Sequence, residues 1–334
     1  MGMNPFELTK KLISIPSATC MEREIAEFLS SHLASLGYRV ERQDVTGDRF
    51  NVMAFAGEGR VMFCTHIDTV PPTPQMEPLR EDNDFFYGRG ACDTKGIIAA
   101  MLEAGDRLRR DNVTNFGYLF LVGEETDGIG AKTANRLQWN SEYVIVGEPT
   151  QNQLVRAQKG TLMVNLSVTG RSAHSGYPER GVSAIKNLWS VLEECEAADW
   201  GNDPVLGKGT FNVGIFQGGE AANIVPARAS TSIMIRTVEA SARIEEKMRR
   251  IVANRATMEV AGASDPLILH VVEGFQTTVV SFGSDAPHLG NMGKRLLAGP
   301  GSILDAHTAG EKINKRELME GIDLYETLVR KLLA

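Results

Sequence analysis

A chain of 334 residues, 43% hydrophobic and 23% charged, has the composition of an ordinary globular enzyme and the length for about two domains. It has no apolar run near the ~18 residues of a membrane span, and its opening MGMNPFELTKKL lacks the basic-then-apolar pattern of a secretory signal, so a cytoplasmic location and no membrane partner are expected. A net charge of −7 with scattered basic residues argues against nucleic acid, and four cysteines (Cys20, Cys64, Cys92, Cys195) without a CxxC pair predict reduced thiols.

In chain order, PFELTKKLISI (5–15) and MEREIAEFLSSHLASLG (21–37) repeat apolar residues at helical spacing. YRVERQDV (38–45), FNVMAFA (50–56) and VMFCTHI (61–67) read as strands, followed by a helix over 96–110. A strand FGYLFLVG (116–123), a helix near 129–138 and a strand YVIVG (143–147) complete an alternating pattern. Near-continuous apolar strands between helices predict an α/β sheet covered on both faces, with reactive side chains at the carboxyl ends of its strands.

The texture changes near residue 158. A strand and loop over 159–176, a helix over 182–197, strands TFNVGIFQGG and RASTSIMIRT, a helix over 241–256 and a strand TMEVAG predict an α+β module over 158–266. It interrupts a catalytic domain of 1–157 and 267–334, whose second part reads as loops carrying GSDAPH and DAHTAGE, then an amphipathic helix over 314–333.

Five segments carry the chemistry. VMFC delivers His66 to a strand end, and Asp68 two residues on points to the same side, where its carboxylate could accept the second ring N–H of a metal-ligating histidine. Asp93 in GRGACDTKG precedes a helix; alone it is an N-cap, and beside the other segments it is a carboxylate bridging two metals. Glu124 and Glu125 leave the core at the end of a buried strand, and adjacent side chains diverge, so one can ligate metal while the other serves as general base. Glu148 repeats the strand-end placement before Pro149, and His307 in DAHTAGE completes two imidazoles and enough carboxylates for two divalent cations.

In that order the segments resemble the metallopeptidase family of acetylornithine deacetylase, succinyl-diaminopimelate desuccinylase, aminoacylases and glutamate carboxypeptidase, over nearly the whole chain. The resemblance implies a zinc-peptidase-like mixed α/β sheet sandwiched by helices, with an inserted α+β lid and dimerisation domain. It implies His66, Asp93 and Glu148 on one zinc ion and Asp93, Glu125 and His307 on the other, with Glu124 as catalytic base and Asp68 as the partner of His66. It also makes His174 in GRSAHSG an oxyanion-stabilising residue supplied to the opposite subunit of a homodimer. Asn223 and Arg236 are implied to hold the substrate carboxylate, and Gly283 and Ser284 to line its pocket.

The substrate expected first is an N-acyl amino acid such as acetylornithine, acetylcitrulline or acetyllysine, because GRGACDTKG and AQKG look closest to the acetylornithine deacetylase pattern. A dipeptidase or carboxypeptidase, or the desuccinylase, is the alternative, and a non-catalytic binding relative is a third reading that leaves Glu124 without a purpose. Gln158, where the family often has histidine, and Ala286-Pro287 beside His288 leave the side-chain pocket open. Zinc is the expected metal; cobalt and manganese accept the same oxygen and nitrogen ligands.

Overall fold

The computed structural model describes residues 3–76 and 79–334. The chain forms two compact units, one running up to Arg156 and including Leu269–Thr278 and Ser284–Ala334, the other Ala157–Ile268 with Val279–Gly283. The inserted segment expected at 158–266 therefore lacks residues 279–283, so Gly283 belongs to the second unit and Ser284 to the first.

In the first unit, helices α1 (Pro5–Ser14) and α2 (Arg23–Ser35) precede the hairpin β1 (Arg39–Thr46) and β2 (Arg49–Ala56). Asn4 starts α1 by accepting the N–H groups of Phe6 and Glu7, while Glu7 reaches back in a capping box. Then come β3 (Val61–His66), α3 (Gly96–Arg110), β4 (Phe116–Leu121), α4 (Ile129–Ala134) and β5 (Tyr143–Val146). The sheet order is β1-β2-β4-β3-β5, ending on a strand Lys294–Leu297. The β1/β2 and β2/β4 pairs are antiparallel and the rest parallel, giving a mixed sheet.

Every residue of β3 and β4 is buried, as a strand covered on both faces requires. Phe63 on β3 packs against the rings of Phe116, Tyr118 and Tyr325, so Phe63→Ala would cost about 3–5 kcal/mol. Tyr325 comes from the last helix, Lys315–Leu333, which Asn314 caps and which packs along α3. The strand Lys294–Leu297 lies in a stretch read from sequence as loop. Four residues are too few to show a period, and the parallel pairing with β5 is what makes them a strand.

The second unit contains β6 (Gly160–Thr169), α5 (Ala184–Ala197), β7 (Thr210–Gly218), β8 (Arg228–Thr237), α6 (Ser241–Val252) and β9 (Thr257–Ser264). Its antiparallel sheet has the order β7-β8-β6-β9. Burial alternates along β6 and β8, and the buried set, Leu162, Val164, Leu166, Ile233 and Ile235, packs with Leu188 and Val191 of α5 and Ile244 and Met248 of α6. Edge strand β7 is almost wholly exposed, and Ile215 is 54% exposed.

Candidate metal centre

Parallel pairing of β3 with β4 sets His66 opposite Leu121, so both strands deliver their next residues to one edge of the sheet. Beyond β4, Gly123 turns at φ +79°, a conformation glycine adopts without strain, and the chain presents Glu124 and Glu125. Beyond β5, the Gly147 N–H donates to the Cys64 carbonyl at 2.7 Å and Glu148 follows, 3% exposed. Asp93 lies in a wide π-type turn, Ala91–Lys95, entered through Gly90 at φ +83°, with Asp93 and Thr94 themselves in non-helical conformation and the Asp93–Thr94 peptide cis. The Thr94 hydroxyl donates to the His66 carbonyl at 2.6 Å, tying this turn to the end of β3.

One carboxylate stands between two imidazoles. Asp93 Oδ1 is 3.0 Å from His66 Nε2, and Asp93 Oδ2 is 3.2 Å from His307 Nε2, which is also 3.1 Å from the Glu125 carboxylate. His66, Asp93 and Glu125 each offer a ligand atom within 4.8 Å of the others.

The expected contact between the Asp68 carboxylate and the His66 ring is not made. His66 Nδ1 donates instead to the Asp68 backbone carbonyl at 2.9 Å, the carboxylate standing at 3.6 Å. That carboxylate is taken up by the N–H groups of Glu124 at 3.1 Å and Glu125 at 3.2 Å and by the Thr19 hydroxyl at 2.7 Å. Two residues after the strand end, the backbone carbonyl reaches the ring first, and the side chain is left to orient the Glu124-Glu125 turn.

These residues fit cations. With Nδ1 donating to a carbonyl, His66 points Nε2 at an Asp93 oxygen, a contact that needs either a proton or a metal cation between the two. Burial alone would lower the His66 pKa, yet Asp93, Glu124 and Glu148 together hold it well above its ordinary value. The His307 pKa is pushed up to about 10 by Asp93 and Glu125. Burial works to raise the Asp93 carboxyl, but hydrogen bonds to both imidazoles hold it well below the usual range. Lost hydration, with neighbouring carboxylates, pushes the acids of Glu124 and Glu148 well up. So dense a cluster of acids is the environment that divalent cations neutralise, and the oxygen and nitrogen donors suit a hard or borderline ion.

In the second unit, His174 is exposed; its Nδ1 accepts from the Gly176 N–H at 3.0 Å and its backbone bridges to Ile224, beside Asn223, whose carbonyl accepts from Ser175. Arg236 is the last residue but one of β8, and a side chain at Gly283 would begin 3.9 Å from its Nη1. In the first unit, Ser284 is buried and its hydroxyl accepts from the Ala286 N–H at 3.2 Å.

Two buried acids here were not singled out from sequence. Asp285 is 1% exposed, both its oxygens lack a partner among the described residues, and burial pushes its pKa up to about 7. Glu311, four residues after His307, pairs with Arg89. Burial, with the charge of Asp93, pushes it up to about 7 against the pull of that guanidinium. The signal available for both was an acid close to a motif histidine or serine.

The match that decides the family runs over residues 62–331, to Peptidase family M20/M25/M40. The chain belongs to that family. It is 36% identical to a Peptidase M20 domain-containing protein of Schizosaccharomyces pombe, covering 98% of this chain and 84% of the relative. It is 35% identical to a probable carboxypeptidase of Aspergillus clavatus, covering 97% and 88%. In fold it is similar to an M20 family metallo-carboxypeptidase of Sulfolobus solfataricus, with TM-score 0.81 at 18% identity over 99% of both chains. It also resembles a dinuclear metal binding peptidase of Bacillus subtilis, with TM-score 0.70 at 15% identity over 98% of both. This M20 chain is thus an enzyme, a metal-dependent amidohydrolase with the α/β fold of its family, and no helix among the described residues is long and apolar enough to cross a membrane.

Proposed function

We propose that this M20 enzyme hydrolyses the amide bond on the amino side of a residue with a free α-carboxylate, with Glu124 as general base. The observation that carries this reading is the placement of Glu124. Its N–H is held by Asp68 and its charge bears on His66, while Glu125, the next residue of the same turn, is the acid that meets His307 and groups with His66 and Asp93.

His66, Asp93 and Glu148 would hold one divalent cation, and Asp93, Glu125 and His307 the other; zinc suits these donors, as do cobalt and manganese. Such a pair supplies Lewis acidity, bringing the pKa of water toward ~7 and polarising a carbonyl. Glu124 takes the proton from the attacking water as the C–O bond forms, then gives it to the departing nitrogen as the C–N bond breaks. Asp68 keeps the Glu124-Glu125 turn in register. In this reading His174, from the partner subunit, donates to the developing oxyanion, while Asn223 and Arg236 clamp the substrate carboxylate and Gly283 and Ser284 line the pocket.

Two substrate classes share this leaving group. The residues GRGACDTKG and AQKG favour an N-acyl amino acid such as acetylornithine, acetylcitrulline or acetyllysine. The names of the fungal relatives, probable carboxypeptidases, favour a peptide cleaved at its carboxyl end. Zinc-loaded protein, with an EDTA-treated control, should release amine from one class in a panel of Nα-acetyl amino acids, N-succinyl-diaminopimelate, dipeptides and N-blocked dipeptides. Silence across the panel despite bound metal would overturn the reading.

We also propose a homodimer through the second unit. Exposed Ile215 and Phe216 on the open edge β7, and Trp189 of α5, 57% exposed, supply apolar surface suited to an isologous contact.

A further inference from the structure

We infer that Glu311 is a positioning residue that sets the cation site of His307 separately from that of His66, an inference that rests on the two-cation reading above. The two imidazoles are anchored differently. His66 ends a strand paired on both sides, with its ring fixed by the Asp68 carbonyl and its own carbonyl held by Thr94. His307 stands in a loop at φ +62°, about half exposed, and no strand holds it.

Glu311 joins that loop to the turn carrying Asp93. Its Oε2 accepts from Arg89 Nη1 at 2.5 Å, its Oε1 from the Asp93 N–H at 3.4 Å, and the Cys92 thiol lies 3.9 Å from the same oxygen. Its backbone carbonyl accepts from the Gly88 N–H at 3.0 Å, and the next residues, Lys312–Asn314, pair with Phe85–Tyr87. One side chain thus fixes the backbone of the shared carboxylate and closes the His307 loop upon it. The pair is also committed electrostatically. Nε and Nη2 of Arg89 have no hydrogen-bond partner among the described residues, so Glu311 is the buried counter-charge of that guanidinium. Residues that orient ligands in this way typically govern metal affinity by about 10–100-fold.

The test is Glu311→Gln, with metal-free protein titrated with Co(II) and followed by visible absorption and calorimetry. The first equivalent, still held by the strand-anchored His66, should weaken little, and the second should weaken about 10–100-fold, with the visible spectrum of the second equivalent altered. Because neutralising Glu311 leaves Arg89 buried and unpaired, the double variant Arg89→Met/Glu311→Met is the control for folding. It removes both charges at similar length, and it should melt cooperatively while still binding the second equivalent weakly. Two equivalents bound with unaltered affinity by either folded variant, or an equal loss at both sites, would overturn the positioning role. Uptake of fewer than two equivalents by the unaltered chain would overturn the two-cation reading, and this inference with it.

Discussion

His66 and His174 belong to two differently built units. The first is 1% exposed, with both ring nitrogens engaged and its backbone locked into a parallel sheet; the second is exposed on a loop, its ring accepting from one backbone N–H and meeting Tyr177 edge-on at 6.1 Å. A site that must concentrate cations among carboxylates has to be rigid before the ions arrive, because each acid is costly to bury without them. A residue that meets a substrate only during turnover needs no such preparation. The contrast predicts that only changes in the first unit alter metal content, and that perturbing the second acts on turnover alone.

Removing the metal breaks the comparison hardest. Dialysis against a chelator should abolish amine release and lower the melting temperature, since a ligand present at 100 times its dissociation constant contributes ~2.7 kcal/mol to the folded state. Glu124→Ala comes next. It should lower kcat by about 10²–10⁴-fold while leaving metal content, measured by atomic emission, unchanged. Loss of metal in that variant would make Glu124 a ligand and collapse the division of labour between it and Glu125. Asp68→Asn should follow with a fall of about 10–100-fold in activity or metal affinity, because the amide cannot serve two backbone N–H groups as the carboxylate does.

That last variant also marks where sequence reading stopped. The alternation of apolar strands and helices, and the strand-end positions of His66, Glu124 and Glu148, were legible because the parallel sheet forces its carboxyl ends to one edge. The partner of the His66 ring was not, since a carbonyl and a carboxylate on the same residue compete for it and only three-dimensional reach decides. Asp285 and Glu311 were passed over because a buried acid and a solvated acid look alike in a sequence. The strand Lys294–Leu297 was missed for want of length, and the return of residues 279–283 to the second unit leaves no periodic trace.

A pH series on the metal-free protein sharpens the contrast further. His307 has its folded pKa raised to about 10 from an ordinary 6.5. Its contribution to stability is therefore complete below about 6.5, and is lost as pH rises through about 10. Metal binding runs the other way, because the imidazole must surrender its proton to become a ligand. The melting-temperature gap between metal-loaded and metal-free protein should thus widen as pH rises across that window. A gap that stays constant would mean that His307 is not a ligand.

The smallest effect should come from the surface of the second unit. Ile215→Lys places a charge on the open edge of β7, where charged side chains commonly block strand-to-strand association. Metal content should be unchanged, and melting should fall by no more than subunit association contributes, since Ile215 is 54% exposed. In sedimentation the variant should be a monomer at micromolar concentration. If His174 serves the neighbouring subunit, kcat should fall in proportion to the dimer lost, and a mixture of Glu124→Ala and His174→Ala chains should regain part of the activity that neither has alone. Full activity in the monomer would mean that His174 does not serve a neighbouring subunit.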